Sequence, residues 1–274
     1  MQKTWLITGC STGLGRSLAE VLRDNGANVV ATARRRETLN GLEGENVLLT
    51  ELDVTRPETI KAAVAATQER FGRIDVLVNN AGYGLLGAVE ECSDEEARAV
   101  FDVNVFGLLT MLREVLPTMR AQGAGHVINL SSIVGLISFP GSGLYAATKH
   151  AVEALGESLY GELKPLGIKV TTIEPGPFRT DFHGRSLTLA ADRWPEYEAT
   201  AGKRRDAIAA TYGRQAGDPV KAAEAMIAVT EMPEPPLRLP LGAMAYELAY
   251  DQLDKVRAEI QAFESLGKPT DFPS

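Results

Sequence analysis

The sequence predicts a doubly wound α/β fold, a mostly parallel seven-stranded sheet with helices on both faces. Two observations predict it. From residue 4 to about 175, short runs of β-branched and other apolar residues alternate with longer segments of helical periodicity, as successive βαβ units do. Most of the short runs also lack polar–apolar alternation, so both faces of each strand must be covered, which is the condition of a parallel sheet.

The strands fall at 5–8, 29–33, 48–52, 76–79, 127–130 and 169–174, with a seventh at 237–240. A first helix spans 14–24, with Gly26 just past its end, and a second spans 57–71. A third opens on the capping box Ser93-Asp94-Glu95-Glu96 and runs to 120, broken near 103–106. The next spans 145–164. These two long helices carry more apolar and small residues than one narrow stripe needs, so a second buried face is expected, and with it a homodimer or homotetramer. The stretch 178–218 breaks the alternation, with Phe182, Trp194 and Tyr197 set among charged residues, and a helix capped by Asp218-Pro219 follows. It is expected to pass over the sheet edge as a substrate lid, an excursion within a single domain covering 1–274.

Composition narrows the partners. With 45% apolar residues the chain can bury a substantial core. Lys and Arg number 28 against 36 Asp and Glu, a net charge of -8 with no basic tract, which argues against nucleic acid. Cys10 and Cys92 are too few for a disulfide scaffold and lack ligand spacing, and His126, His150 and His183 share no metal spacing either, so no metal is expected. Met1 leads almost directly into the first strand, leaving no room for a secretion signal, and no apolar run approaches the roughly 20 residues of a membrane helix. A soluble, cytoplasmic protein without membrane contact is expected.

Directly after the first strand comes Thr8-Gly9-Cys10-Ser11-Thr12-Gly13-Leu14-Gly15, which opens the first helix. Such a turn lets backbone N–H groups and the positive helix terminus meet a pyrophosphate, and glycine removes the side chains that would block it. The second strand ends Ala31-Thr32-Ala33-Arg34-Arg35-Arg36. NAD sites place an acid near this point to hold the ribose 2′-hydroxyl, whereas arginine suits a 2′-phosphate. Arg34 and Arg35 therefore predict NADP(H). The plainer reading, a solvated basic helix start, is weakened because arginine is unfavourable there.

Tyr145-Ala146-Ala147-Thr148-Lys149 sets tyrosine and lysine four apart on one helical face. Chance produces such a pair readily. It gains weight beside the glycine turn, Asn79-Asn80-Ala81-Gly82 after strand four, Asn104, and Ser132 thirteen residues before Tyr145. Reduction of a carbonyl requires hydride at carbon and a proton at the developing alkoxide. Tyr145 can supply the proton, and a Lys149 ammonium about 5 Å away would lower its pKa by about two units. Ser132 can donate to the carbonyl oxygen. Each residue also has a plainer role: a packed tyrosine, an exposed lysine, a serine ending a strand, an asparagine satisfying backbone groups. Tyr83, Leu85, Leu86, Phe139, Phe178, Phe182 and Trp194 fall in loops where a pocket wall is expected.

With these motifs in this order, the chain resembles the short-chain dehydrogenase/reductase family from Thr4 to about residue 173. The resemblance implies a Rossmann-like sheet and an active site of Asn104, Ser132, Tyr145 and Lys149, with Asn104 anchoring a water that leads protons to Lys149. It implies that Gly9, Ser11, Gly13, Leu14 and Gly15 hold the pyrophosphate side, Asp53 and Val54 the adenine, and Asn80 the inner ribose, with Tyr145 and Lys149 also touching the cofactor. Pro175, Gly176, Phe178 and Thr180, within Pro175-Gly176-Pro177-Phe178-Arg179-Thr180, resemble the nicotinamide-positioning turn, although Phe178 replaces a smaller β-branched residue. The motifs at 79–84 and 175–180 are similar to the hydroxysteroid and retinol dehydrogenase branch. The expectation is an NADP(H)-dependent oxidoreductase interconverting a fairly apolar ketone or aldehyde and its alcohol. The rivals are an NAD-preferring dehydrogenase and a non-catalytic NADP-binding regulator.

Overall fold

The β-branched runs do form a central sheet in the computed structural model, which describes residues 2–272. Its strands are β1 (Thr4–Ile7), β2 (Asn28–Ala33), β3 (Val47–Glu51), β4 (Val76–Asn79), β6 (Gly125–Leu130), β7 (Ile168–Pro175) and β9 (Arg238–Leu241). They lie in the order β3-β2-β1-β4-β6-β7-β9, and every pairing is parallel. The fold is Rossmann-like. Strand order reverses between β1 and β4, and the crevice at their carboxyl ends is where such sheets take ligands.

Alternate strand residues build two cores. On one face Leu18 and Leu22 of α1 (Gly13–Asp24), with Met226 and Val229 of α8 (Pro219–Glu231), cover Ile7, Val29 and Val78. On the other, α2 (Pro57–Phe71), α4 (Leu108–Gln122) and α5 (Gly143–Leu163) bring Ile60, Met111, Val115 and Val152 onto Leu6, Val30, Leu77 and Val127. The capping box at Ser93 is formed and opens α3 (Asp94–Phe101). The break expected near 103–106 is a π-helical turn, Asp102–Gly107, that joins α3 to α4.

Between β7 and α8 the chain forms α6 (Phe182–Arg185), β8 (Leu187–Leu189) and α7 (Lys203–Thr211). β8 pairs in parallel with β5 (Gly84–Leu86), a two-stranded clip that the sequence did not announce because each strand is only three residues long. A Cβ on Gly84 would sit 2.6 Å from the Leu187 Cδ1, so a larger residue here would displace that side chain. The last long helix, α9 (Ala243–Ala262), was also unanticipated. Ala245 and Ala249 pack it on the domain, while most side chains from Asp251 onward are exposed, among them Leu253, Ile260 and Phe263. No helix among the described residues is long and apolar enough to cross a membrane.

Candidate active site

The cleft begins where β1 turns into α1. Gly9 and Gly13 take φ of 73° and 67°, a left-handed backbone that favours glycine. A Cβ on Gly15 would lie 2.8 Å from the Gly9 carbonyl and would collide with the Asn80 amide. That amide ties the turn down, donating to the Thr8 and Gly9 carbonyls at 2.8 and 2.9 Å. The Thr8 hydroxyl in turn accepts from the Asn80 and Ala81 N–H groups, both at 3.0 Å. Thr12 ends the turn without a side-chain cap, and the first turn of α1 holds no acid, which leaves its N–H groups open to an anion. Gly9, Ser11, Gly13, Leu14 and Asn80 line the cleft, whereas Gly15 serves the close packing beneath it.

At the end of β2, Arg34 lines the same cleft with Asp53 and Val54. Arg35 does not; its guanidinium turns outward, 3.7 Å from Glu37, with the side chain 74% exposed. The expectation that the two arginines share one contact is therefore corrected, because successive residues leaving a strand point to opposite sides. The cavity has a volume of about 1270 Å³ and runs from Asp53 and Arg34 past Gly13 to Tyr145, with Pro175, Gly176, Phe178 and Thr180 along one wall. An uncapped helix terminus, a glycine cradle and a guanidinium at one end are a donor set that fits a phosphorylated dinucleotide.

Tyr145 and Lys149 lie one turn apart on α5, both buried. Lys149 Nζ donates to the Leu130 carbonyl at 2.7 Å and sits 5.8 Å from the centre of the Tyr145 ring. Ser132, extended just past β6, lies beside the Tyr145 phenol; its Oγ donates to the Pro175 carbonyl at 3.5 Å and accepts from Val134 N–H at 3.3 Å. Burial pushes the phenol above its ordinary range, with only the Ser132 hydroxyl opposing. Burial likewise pushes Lys149 down to about 8, against the pull of Glu153. The net shift of Tyr145 is opposite to the one expected, because desolvation of the buried phenol is the largest influence on it.

Asn104 stands on the π-helical turn, buried and outside the cleft wall. Its Oδ1 accepts from Tyr83 N–H at 3.0 Å, while Nδ2 donates to the Tyr83 carbonyl at 2.9 Å and to Thr148 Oγ1 at 3.0 Å. The amide thus pins the loop after β4 to α5. Behind Lys149 lies a group missed in the sequence. Glu153 and Glu174 are buried against each other, with Arg238 Nε 3.3 Å from the first and 3.8 Å from the second. Burial raises both carboxyls, Glu174 to about 8, so the pair holds a proton near neutrality.

The other half of the cleft is walled by 178–218. Phe182 from this wall packs with Phe139, Leu248 and Tyr145, and Leu187, Tyr83, Leu85, Leu86 and Phe178 also line the cleft. Trp194, expected among them, is not in the wall. It rests on Tyr197, ring centres 6.3 Å apart. Its role is to anchor through its backbone: buried Glu91 accepts from Trp194 N–H at 2.8 Å, from Ala88 N–H at 2.7 Å and from Arg205 Nη1 at 3.2 Å. Burial works against the Glu91 carboxylate, yet these bonds and the Arg205 charge hold it below its ordinary range. No group of His, Cys, Asp and Glu among the described residues could hold a metal ion.

Residues 3–188 match the model of the family described as short chain dehydrogenase, and the chain belongs to that family. It is 37% identical over 270 residues to the oxidoreductase BOA17 of Botryotinia fuckeliana, covering 97% of this chain and 98% of the relative. A crystal structure of a short-chain dehydrogenase from Streptomyces avermitilis is 41% identical, with a TM-score of 0.92 over 98% of this chain and 100% of the other. Two Burkholderia family structures carry different cofactors. The one from B. phymatum is in complex with NAD (27% identity, TM-score 0.79, 100% and 98% covered), and the one from B. cenocepacia is in complex with NADP (28%, 0.75, 96% and 98%). The chain is thus an oxidoreductase of a family that uses nicotinamide nucleotides.

Proposed function

We propose that the protein is an NADP(H)-dependent reductase of ketones or aldehydes, or the reverse alcohol dehydrogenase, with Tyr145 as proton donor and acceptor. The observation that carries this reading is the convergence of Tyr145, Ser132 and Lys149 in one buried corner of a cleft whose far end presents Arg34 and no carboxylate from β2. When bound, the nicotinamide supplies the hydride. Ser132 orients the carbonyl oxygen and stabilises its growing charge, and Tyr145 transfers its phenolic proton to that oxygen. Lys149, fixed by the Leu130 carbonyl, favours the phenolate left behind. Asn104 positions this machinery through Thr148 and the Tyr83 backbone. The wall at 178–218 acts as the lid, and its apolar lining favours substrates with an apolar body. The protein works as a homo-oligomer, a reading supported by the exposed apolar side chains of α9 and by exposed Phe106 and testable by its mass in solution, and its proposed location is the cytoplasm.

A panel of ketones, aldehydes and alcohols, followed by nicotinamide absorbance with NADPH and NADH in parallel, tests the assignment. The expected result is turnover with a kcat/KM preference for the phosphorylated cofactor. A preference for NADH would make it an NAD-type dehydrogenase, and absence of any turnover would favour a non-catalytic NADP-binding regulator.

A further inference from the structure

A half-buried cation in the substrate half has no ion-pair partner among the described residues. Arg204, in the first turn of α7, lines the cleft with its guanidinium carbon 4.3 Å from the centre of the Phe139 ring. Its neighbour Arg205 shows what a structural arginine looks like here, set 3.2 Å from Glu91 and 3.6 Å from Glu198. Arg204 has no ion pair among the described residues, which sets it apart from Arg205, and its Nε, like that of Arg205, is enclosed without a hydrogen-bond partner. Leaving a half-buried guanidinium uncompensated in an apolar wall is costly, and a protein meets that cost either with a carboxylate of its own or with one brought by a ligand. Burial alone holds Arg204 below the ordinary arginine range. The adjacent imidazole of His183 is held down by its own burial and by Arg204, which favours its neutral form, and an imidazole supplies no counter-charge to a guanidinium.

Resting on the carbonyl-reductase reading, we propose that Arg204 is a carboxylate subsite and that the substrate is an oxo or hydroxy acid with an apolar segment between its acid group and its reacting carbon. The separation follows from the walls. Between Tyr145 and Arg204 stand Phe182, 5.9 Å from the Tyr145 ring and 5.9 Å from the His183 ring, and Phe139 beneath the guanidinium. A 2-oxo acid has no methylenes to set against these rings, whereas a longer acid lays its chain on the two phenyl faces. The planar fork of the guanidinium, held over Phe139, matches a carboxylate in two parallel hydrogen bonds. Exposed Arg214 also borders this end of the cleft, but it lacks an aromatic platform and is left to solvation.

The test uses the NADPH-saturated enzyme and two unreactive probes, octanoate and octanamide, with affinities measured by calorimetry. Wild type is expected to bind octanoate roughly tenfold or more tightly than octanamide, the worth of a charge-assisted hydrogen bond. Arg204→Met should erase that ratio and Arg204→Lys should restore part of it, whereas Arg214→Met should leave it in place. The ratio is taken within each variant, so a general loosening of the fold does not mimic the result. Equal binding of the two probes by wild type overturns the subsite, as does a ratio that survives Arg204→Met or follows Arg214. If the ratio behaves as expected but no oxo acid, ketone or aldehyde is turned over, the subsite stands and the reductase reading falls.

Discussion

The turn between β1 and α1 is fixed by short bonds among Thr8, Gly9, Asn80 and Ala81 at the centre of the sheet, whereas the wall at 178–218 is held to the domain largely by a three-residue strand pairing and one buried carboxylate. In the first region almost every polar group is used to shape a cradle that one class of ligand fits. In the second, anchoring and recognition are divided between adjacent residues, Arg205 tying the wall down and Arg204 facing the cleft. A family can therefore keep the cradle and exchange the wall, and the two halves should fail independently when they are perturbed.

The sharpest perturbation lies where the halves meet. Tyr145→Phe should cut turnover by roughly 100-fold to 10,000-fold while leaving NADPH affinity nearly unchanged, as expected for a positioned general acid. Turnover within about threefold of wild type would remove Tyr145 from the chemistry. Next comes Glu91→Ala, which leaves Arg205 charged and buried and should cost about 3–5 kcal/mol of stability. Denaturant titration measures that loss, and KM for large substrates should rise while NADPH affinity holds. A parallel loss of NADPH affinity would show that the halves are coupled. Arg34→Ala, confined to the cradle, should weaken NADPH about 10-fold to 150-fold and change NADH little, with Arg35→Ala neutral. An effect of Arg35→Ala equal to that of Arg34→Ala would contradict the outward course of Arg35.

The last perturbation concerns the acid pair behind Lys149. Burial raises Glu174 from its ordinary 4.5 to about 8 in the folded protein, so between these values the native state binds more protons than the unfolded chain. The contribution is fully present below pH 4.5 and is lost as pH rises through about 8. Chemical denaturation from pH 5 to 9 should show stability falling with pH, and Glu174→Gln should flatten that slope. An unchanged slope in the variant would assign the pH dependence to other groups.

The cradle was legible because its residues are contiguous in the chain: the turn at 8–15, Asn80 after β4, and Tyr145 and Lys149 one helical turn apart. Most strand limits followed from apolar runs that only a doubly covered strand explains, whereas the order of the strands came from the fold. The wall was not legible, because its defining contacts join residues far apart in sequence. Glu91 and Arg205 are 114 positions apart, and neither sits in a pattern that marks it as buried. Glu174 was hidden inside a strand-like run, where nothing local distinguishes a buried acid from one at a strand end. Trp194 misled in the opposite direction, since a large aromatic residue in a loop suggests a pocket wall, whereas its backbone N–H is what Glu91 holds. The reversed shift of Tyr145 has a related cause, for the degree of burial that decides it is a property of the assembled cleft.

The clip between β5 and β8 also orders events in time. Its strands lie about 100 residues apart, farther than any pair in the main sheet, and only three residues pair, so few contacts offset the closure and it should form after the sheet has collapsed. The chain holds two tryptophans, Trp5 inside β1 and Trp194 in the wall, which makes the sequence of events observable. In stopped-flow refolding, a Trp194→Phe variant should report early burial through Trp5, and a Trp5→Phe variant should report a later phase through Trp194. Simultaneous phases would mean that wall and sheet fold as one unit. If the phases separate, a nascent chain gains its cofactor cradle before it gains any means of choosing a substrate.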